Sequence, residues 1–395
     1  MGDMICNLLK PPLVKSTAAG LLLAIVACAP ATKHPGDAGS NDAGPSGPWV
    51  NGYYVGYEKD LYPTDQIDWN GLTNLVVGRV VPKTDGSLDT TYDIDDTNGP
   101  ALAQTLIQLA HQNGKKAIAM IGGAGEQANW QSAASAAHRS TLVQNLTALL
   151  TSPGYDGLDI DWEPIDPGDE PLLSALLSDL RAAAPHAILT MPVNWVNSSD
   201  PGLDSFYASA AAQLDQMNVM TYGMAGAYDG WQSWHSSALH GEADATPSSV
   251  SSSAEAFLNV GVPAAKLGVG IGFYGMCWSA PVTGPDMTIG AATVLADDDV
   301  MTFAHIMDAY YSAGAYTFDA TARVPYLSFG AATGPENCTF VSYEDETSVR
   351  EKSAYVKAQG LGGVIIWTIN QGYRGNQTGA AKNPLLEELA EDLLH

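Results

Sequence analysis

The sequence has few basic residues. Lys and Arg together number 17 against 43 Asp and Glu, which gives a formal net charge of −26 over 395 residues. A surface this acidic repels phosphate backbones and anionic membranes, whereas a neutral polymer would not be repelled. The charge balance therefore argues against a nucleic-acid-binding protein. A hydrophobic share of 46% also excludes a disordered chain.

The sequence also lacks an apolar run long enough to cross a bilayer. Lys10 and Lys15 precede an uncharged stretch at residues 16–27, which is too short for a spanning helix and has the length of a signal-peptide core. The stretch ends in Ile-Val-Ala-Cys, which resembles the bacterial lipobox. We expect a lipoprotein-type signal peptide over residues 1–27 and a lipid anchor at Cys28. An ordinary signal peptide with a chance cysteine is the alternative.

Residues 28–48 show no apolar periodicity. They are rich in Gly, Pro, Ala, Ser and Asp, a composition typical of a flexible linker. We therefore expect an exported protein, either an outer-membrane or cell-surface lipoprotein or a secreted one, that contacts a membrane only through its anchor.

Cysteine is scarce, with four in the whole chain. Cys6 lies in the leader and Cys28 is the expected anchor, so Cys277 and Cys338 remain. In an exported protein two such cysteines favour one disulfide that closes an excursion of the chain, although two free buried thiols are the alternative.

From residue 49 onward, short apolar runs alternate with longer Ala- and Leu-rich amphipathic stretches, the pattern of repeated βα units. Eight runs are predicted as strands: Val50–Tyr57, Leu72–Pro82, Lys116–Gly123, Gly157–Glu163, Ala187–Asn194, Gln216–Tyr222, Lys266–Tyr274 and Gly362–Thr368. Helices are predicted between them, including Leu102–His111, Ala133–Leu150, Glu170–Ala184, Ser248–Val260 and Ser348–Gln359. This α/β pattern predicts a (β/α)8 TIM barrel over residues 49–395, with an inserted segment at about 276–342 between strands 7 and 8.

The fourth predicted strand is unusually acidic. Asp159, Asp161 and Glu163 recur at period two, so in a strand they share one face at a spacing of about 6.6 Å, while the apolar residues between them face the other way. If the acids face the barrel interior, like charges in a partly desolvated space cannot all ionise, and a proton is retained near neutral pH. A carboxylic acid at the mouth of a barrel suits glycosidic cleavage, because the leaving oxygen must be protonated as its bond breaks. The alternative is a solvated edge strand or a calcium-binding acidic run without a catalytic role.

With Asp156, these acids match the D-x-x-D-x-D-x-E signature of glycoside hydrolase family 18, the chitinases and their relatives. Residues 120–123 resemble the S-x-G-G element of that family, with Met120 in place of serine. Residues 272–275 and the stretch from Tyr343 through Trp367 also resemble family motifs. The resemblance covers roughly residues 49–373.

The resemblance implies a chitinase that hydrolyses β-1,4-N-acetylglucosaminide bonds with retention, the 2-acetamido oxygen of the substrate acting as nucleophile. It implies that Glu163 is general acid and then base, and that Asp161 orients the acetamido N–H and stabilises the oxazolinium intermediate. By the same resemblance Asp159 shares a proton with Asp161, Tyr222 hydrogen-bonds the acetamido carbonyl, and Trp367 forms the apolar floor beneath the sugar.

Further roles follow from the same resemblance. Asp156, of opposite strand parity, is expected to have a structural role. Gly122 and Gly123 are also expected to be structural. Met220 and Tyr274 are expected to contact substrate.

One position departs from the family pattern. An acid usually follows the tyrosine, and here that position is Gly223. This departure keeps a feeble or non-catalytic variant open, with Asp229 or Glu242 as candidate replacements for the acid.

Aromatic residues near the strand ends are candidates for stacking on sugar faces, since pyranose rings present apolar C–H patches. They are Tyr53 and Tyr54 on the first strand and Trp231 and Trp234 after the sixth. Ordinary packing is the alternative for each.

Other signals are weaker. Residues 270–275 satisfy G-x-G-x-x-G but lie within a predicted strand, so a dinucleotide site is not expected. His235 and His240 lack a third ligand, and the acids at 297–299 are predicted to be a solvated helix start. We expect no cofactor, no metal and a monomer.

The expected binding partners are chitin or N-acetylglucosamine oligosaccharides. Two alternatives stay open: an endo-β-N-acetylglucosaminidase acting on glycans or cell-wall sugars, and a non-catalytic chitin-binding lipoprotein.

Overall fold

The computed structural model describes residues 47–395. The expected signal peptide, the anchor at Cys28 and nearly all of the predicted linker lie outside the described residues. Among residues 47–395, none of the helices combines the length and the apolar character needed to cross a bilayer.

The described chain alternates strands and helices. Its strands are β1 Trp49–Val55, β2 Asn74–Pro82, β3 Leu88–Asp89, β4 Lys116–Ala124, β5 Gly157–Glu163, β6 Ile188–Asn194, β7 Gln216–Met220, β8 Leu267–Gly272, β9 Met276–Trp278, β10 Val294–Ala296, β11 Tyr316–Asp319, β12 Val324–Thr333, β13 Cys338–Ser342 and β14 Gly363–Trp367. Its α-helices are α1 Asn98–Gln112, α2 Gln127–Ala133, α3 Arg139–Thr151, α4 Glu170–Ala183, α5 Ser205–Gln213, α6 Val250–Asn259, α7 Phe303–Ala309, α8 Glu346–Gln359, α9 Ile369–Gly372 and α10 Pro384–Leu389.

Eight of these strands form a closed parallel barrel. The order β1-β14-β8-β7-β6-β5-β4-β2 closes on itself because β1 also pairs with β2. The predicted (β/α)8 barrel is therefore confirmed, with strand boundaries that shift by one to a few residues.

The helices form because their apolar residues recur at helical spacing. In α4 the buried side chains are Leu173, Leu176, Leu177 and Leu180, which pack against the strands. α8 begins earlier than predicted because Asp345 caps it in a reciprocal capping box with Ser348.

Two predicted elements differ in detail. The helix predicted over 133–150 is divided into α2 and α3. Helix α5 was not among the predicted helices, since its Ala- and Ser-rich sequence has little amphipathic contrast.

The segment between β8 and β14 forms a second sheet. Its five antiparallel strands run in the order β10-β9-β13-β12-β11 and enclose a separate apolar cluster that includes Trp278 and Phe340. A disulfide joins Cys277 on β9 to Cys338 on β13. The excursion thus carries its own core and a covalent link.

An apolar layer lies on each side of the barrel wall. The outer layer lies between the strands and the helices, and the inner layer fills the barrel with Tyr53, Val76, Ile118, Met120, Met220 and Ile365. Successive side chains along each strand point alternately to the inner and the outer layer. This division decides which residues reach the carboxyl-terminal mouth.

Candidate active site

The acidic strand presents its carboxyl groups inward, as its period predicts. Asp159 and Asp161 on β5 are buried, and Glu163 at the end of the strand is half-buried. Leu158, Ile160 and Trp162, between them, belong to the outer apolar layer. The three acids therefore form a line that ends at the barrel mouth.

Asp159 is held by neighbours from two other strands. The Tyr53 hydroxyl on β1 donates to Asp159 Oδ2 at 2.7 Å, and the Thr190 hydroxyl on β6 donates to Oδ1. Burial raises the pKa of Asp159 to about 6, although these two hydrogen bonds act in the opposite direction. The sequence predicted that Asp159 shares a proton with Asp161. Each Asp159 oxygen accepts one of these hydrogen bonds, and the proton sharing with Asp161 stays a prediction.

Asp161 pairs with Glu163. Burial raises the pKa of both carboxyl groups, and the charge of Glu163 raises that of Asp161 further. Ionising both would place two negative charges close together in a desolvated site, so the pair is expected to retain one proton. Asp161 Oδ1 is buried without a hydrogen-bond partner among the described residues. A bound N–H group would satisfy this oxygen.

Glycine allows the neighbouring strand to approach this pair. Gly122 on β4 lies opposite Asp161, and both Gly122 and Gly123 have positive φ angles, of 100° and 104°. A Cβ atom at Gly122 would lie 2.2 Å from the Asp161 carbonyl oxygen and 2.4 Å from Trp130 Nε1. The structure thus places both glycines beside the acids in a conformation that glycine adopts at least cost.

Tyr222 follows β7 and lies beside the acids. The charges of Glu163 and Asp161 add to burial in raising its pKa. The Tyr274 ring lies 6.1 Å from it, edge to face. A Cβ atom at Gly270 would lie 2.6 Å from the Tyr222 ring. Gly270 and Gly272 of the G-x-G-x-x-G pattern therefore make room for the rings of Tyr222 and Tyr274.

Trp367 ends β14 in the inner layer. Its ring centroid lies 5.5 Å from that of Tyr53, and its indole N–H donates to Asp298 at 3.0 Å. Met220, at the end of β7, lies in the same inner layer. An aromatic face and a thioether thus border the carboxyl groups.

Asp298 joins a second acidic pair. Gln371 Nε2 donates both to Asp298 at 2.8 Å and to Glu58 at 2.6 Å. Burial raises the pKa of Asp298 to about 6 and that of Glu58 to about 7. Helix α7 begins only at Phe303 with Thr302 as its cap, so the prediction of a solvated helix start at 297–299 is wrong for Asp298.

Two aromatic predictions are wrong. Tyr54 is 1% exposed and lies in the outer layer, where its hydroxyl donates to the Tyr62 carbonyl at 2.8 Å. Trp234 is 2% exposed in the core of the inserted sheet, and its indole N–H donates to the Ser248 carbonyl. Tyr54 lies on the outer face of β1, and Trp234 is covered by the core of the inserted sheet, so neither ring faces the mouth.

Trp231 remains partly exposed and pairs with Trp195. Their ring centroids are 6.3 Å apart. Trp195 and Glu163 both line a cavity of about 280 Å³ between β5 and the segment that follows β6. Trp195 is not among the predicted site residues, although its position directly after a predicted strand marks it as a candidate.

The predicted replacements for the missing acid do not reach the site. Asp229 and Glu242 are exposed. The hydroxyl group of Ser236 lies 3.3 Å from the Gly223 amide nitrogen, which donates to it. Asp298 is the additional carboxyl group beside Trp367, and it comes from the inserted segment rather than from the position after Tyr222.

Asp156 lies at the opposite end of β5. It accepts hydrogen bonds from Lys116 and from the Ala117 amide, at 2.8 and 2.9 Å, and contacts His111. These contacts hold its pKa below the usual value despite partial burial. Its place is structural, as its strand parity suggests.

Three further polar residues at the mouth were missed. Arg79 lies within the second predicted strand, Glu58 directly follows the first, and Asp298 lies in the acidic run that was set aside. Position just after a strand would have pointed to Glu58, but nothing local marks Arg79 or Asp298. Among residues 47–395, no three His, Cys, Asp or Glu side chains are grouped so that they could hold a metal ion.

Comparisons with known proteins agree on the family. The model of the glycosyl hydrolases family 18 matches residues 50–372. Chitinase A1 of Niallia circulans is 30% identical over 290 residues, which cover 65% of this chain and 40% of that protein. Chitotriosidase-1 of Mus musculus is 29% identical over 334 residues, covering 75% of this chain and 67% of that protein.

A solved structure shares the fold. The Group IV chitinase of Ostrinia furnacalis superposes with a TM-score of 0.73 at 23% identity and covers 88% of this chain and 100% of that one. At this identity the likeness supports the barrel architecture. With the family match over most of the chain, the conclusion is that this protein belongs to glycoside hydrolase family 18.

Proposed function

We propose that this chain is a chitinase that cleaves β-1,4-linked N-acetylglucosamine polymers with retention. The observation that carries the proposal is the line of inward carboxyl groups on β5, in which Glu163 reaches the mouth beside buried Asp161 and both carboxyl pKa values are raised. A retained proton at this position is what a leaving sugar oxygen needs.

In the first step Glu163 transfers the shared proton to the glycosidic oxygen. The carbonyl oxygen of the 2-acetamido group attacks C1 as the C1–O bond breaks, which leaves an oxazolinium ion and a free sugar hydroxyl. Asp161 is then ionised and stabilises this cation. Its unpartnered Oδ1 is free to accept the acetamido N–H.

In the second step Glu163, now a carboxylate, takes a proton from water as the water oxygen attacks C1. The C1–oxygen bond of the oxazolinium ring breaks, and the acetamido group is restored. Two inversions at C1 give net retention.

Tyr222 and Trp367 position the sugar. The pKa of the Tyr222 hydroxyl is raised above its usual value by burial, so it stays protonated and can donate to the acetamido carbonyl. Trp367 supplies an apolar face whose orientation is fixed by Asp298. The similarity to chitinase A1 and chitotriosidase-1 supports the same substrate class.

Substitution of Glu163 by Gln tests the proposal, because the change removes the transferable proton and keeps the side-chain size. We expect kcat on a short chromogenic chitooligosaccharide to fall by about 10²–10⁴-fold. Calorimetry with unmodified chitooligosaccharide should show that binding remains.

Glu242→Gln is the matched control, since it removes an exposed carboxylate outside the mouth. It should leave kcat within about twofold of the wild type. Equal product release by wild type and Glu163→Gln would contradict the assignment of Glu163. Binding without turnover by the wild type would identify a carbohydrate-binding protein instead.

A further inference from the structure

Arg79 brings a cation to the acidic mouth. It lies on β2, and its side chain is 25% exposed. Two carboxylates hold it: Asp93 lies 3.1 Å from Nε and Glu126 lies 3.2 Å from Nη1. Two ion pairs from different segments fix the guanidinium in place, and an arginine remains charged at every pH at which a glycosidase works.

The same group contacts the backbone beside the proposed proton donor pair. Arg79 Nη1 donates to the Gly122 carbonyl at 3.1 Å. Gly122 lies directly opposite Asp161 in the pairing of β4 with β5. Arg79 therefore braces the strand that packs against Asp161, at the point where a side chain on Gly122 would collide with the Asp161 carbonyl.

The charge of Arg79 also reaches Asp161. Burial, Glu163 and Asp159 raise the pKa of Asp161, and the positive charge of Arg79 opposes them. Tyr53 and Tyr222 face the acids from β1 and β7, and both tyrosine pKa values are raised. Arg79 is thus a cation whose charge acts on Asp161 against the effects of burial and of the neighbouring acids.

We propose that Arg79 is a positioning residue that sets how tightly the Asp161–Glu163 pair holds its shared proton. This inference rests on the proposed function of that pair. Without Arg79 the pair would retain a proton to higher pH, because a nearby cation favours the ionised form of a carboxyl group. Asp93 and Glu126, left without their partner, would add to this effect.

The test compares pH profiles of kcat/KM for the full chain and its Arg79→Gln variant. We expect both limbs of the profile to move to higher pH by about 1 unit. Arg79→Lys keeps the charge and should leave the limbs near their wild-type positions. Lys83→Gln is the matched control, because it removes an exposed cation just after β2 that pairs with Asp89.

A second variant, expected to shift the pH profile in the opposite direction, keeps the inference testable if Arg79→Gln does not fold. Glu126→Gln removes a negative charge beside Arg79, so both limbs should move to lower pH. Superimposable profiles for wild type and a folded Arg79→Gln, or a shift of the same sign in both variants, would overturn the inference.

A second readout separates this inference from the proposed function. Carboxyl ¹³C NMR titration of Asp161 and Glu163 needs no turnover. An upward shift in Arg79→Gln supports the role of Arg79 even if the wild type hydrolyses no chitooligosaccharide. Active wild-type enzyme with unchanged carboxyl titrations would instead overturn the role of Arg79 alone.

Discussion

At the scale of single residues, burial decides which carboxyl groups carry protons. Asp161 and Glu163 are desolvated together, so ionising both would place two negative charges side by side in the barrel. Asp156, directly before the same strand and close to Lys116 and His111, has its pKa lowered instead. One strand therefore holds acids with different proton affinities because their surroundings differ.

Gly122 allows a direct test of the close packing around Asp161. Gly122→Ala should lower the free energy of unfolding by roughly 1–3 kcal/mol from the positive φ angle alone, with a further loss from the clash with the Asp161 carbonyl. Urea unfolding measures the loss. Gly125→Ala is the matched control, since Gly125 has φ 87° but no atom within 4 Å of an added Cβ. Equal losses in the two variants would show that the contacts with Asp161 and Trp130 contribute nothing.

The residue-scale predictions from sequence were right where strand parity decides the outcome. Period two placed Asp159, Asp161 and Glu163 on one face, and the structure agrees. The same rule should have separated Tyr53 from Tyr54, since neighbouring residues of a strand point to opposite faces. The burial of Trp234 could not be predicted from local sequence, because it depends on the core of the inserted sheet.

At the scale of elements, the inserted segment contributes a side chain to the site. Its loop supplies Asp298, which fixes the Trp367 indole, and Gln371 links Asp298 to Glu58 after β1. The sequence predicted the excursion and its limits. Its individual strands lacked a signal, since they are short and several are partly exposed.

The disulfide within this sheet should contribute to its stability. Cys277 and Cys338 are separated by 61 residues, so the bond restricts the unfolded chain. The double variant Cys277→Ala, Cys338→Ala should lose about 2–4 kcal/mol of unfolding free energy. Denaturant unfolding followed by circular dichroism measures this, with dithiothreitol-treated wild type as the comparison. An unchanged midpoint in both samples would contradict the prediction.

At the scale of the whole molecule, the fold brings residues from distant parts of the chain to one end of the barrel. Tyr53, Asp161 and Trp367 lie on three different strands and Tyr222 follows a fourth, and they meet because parallel barrel strands all end at one face. Alternation of strands and helices in the sequence was sufficient to predict this arrangement. Export and lipidation at Cys28 stay predictions, since those residues lie outside the described part of the chain.

The central claim is that the substrate supplies its own nucleophile while Glu163 supplies the proton. The most direct test compares kcat/KM for two fluorogenic chitobiosides. One is intact, and the other carries a free amine in place of the acetamido group on the sugar whose bond is cleaved. We predict that the intact compound is hydrolysed and that the deacetylated one reacts at least about 10³-fold more slowly, because the intramolecular attack is lost. Comparable values of kcat/KM for the two compounds would contradict the account.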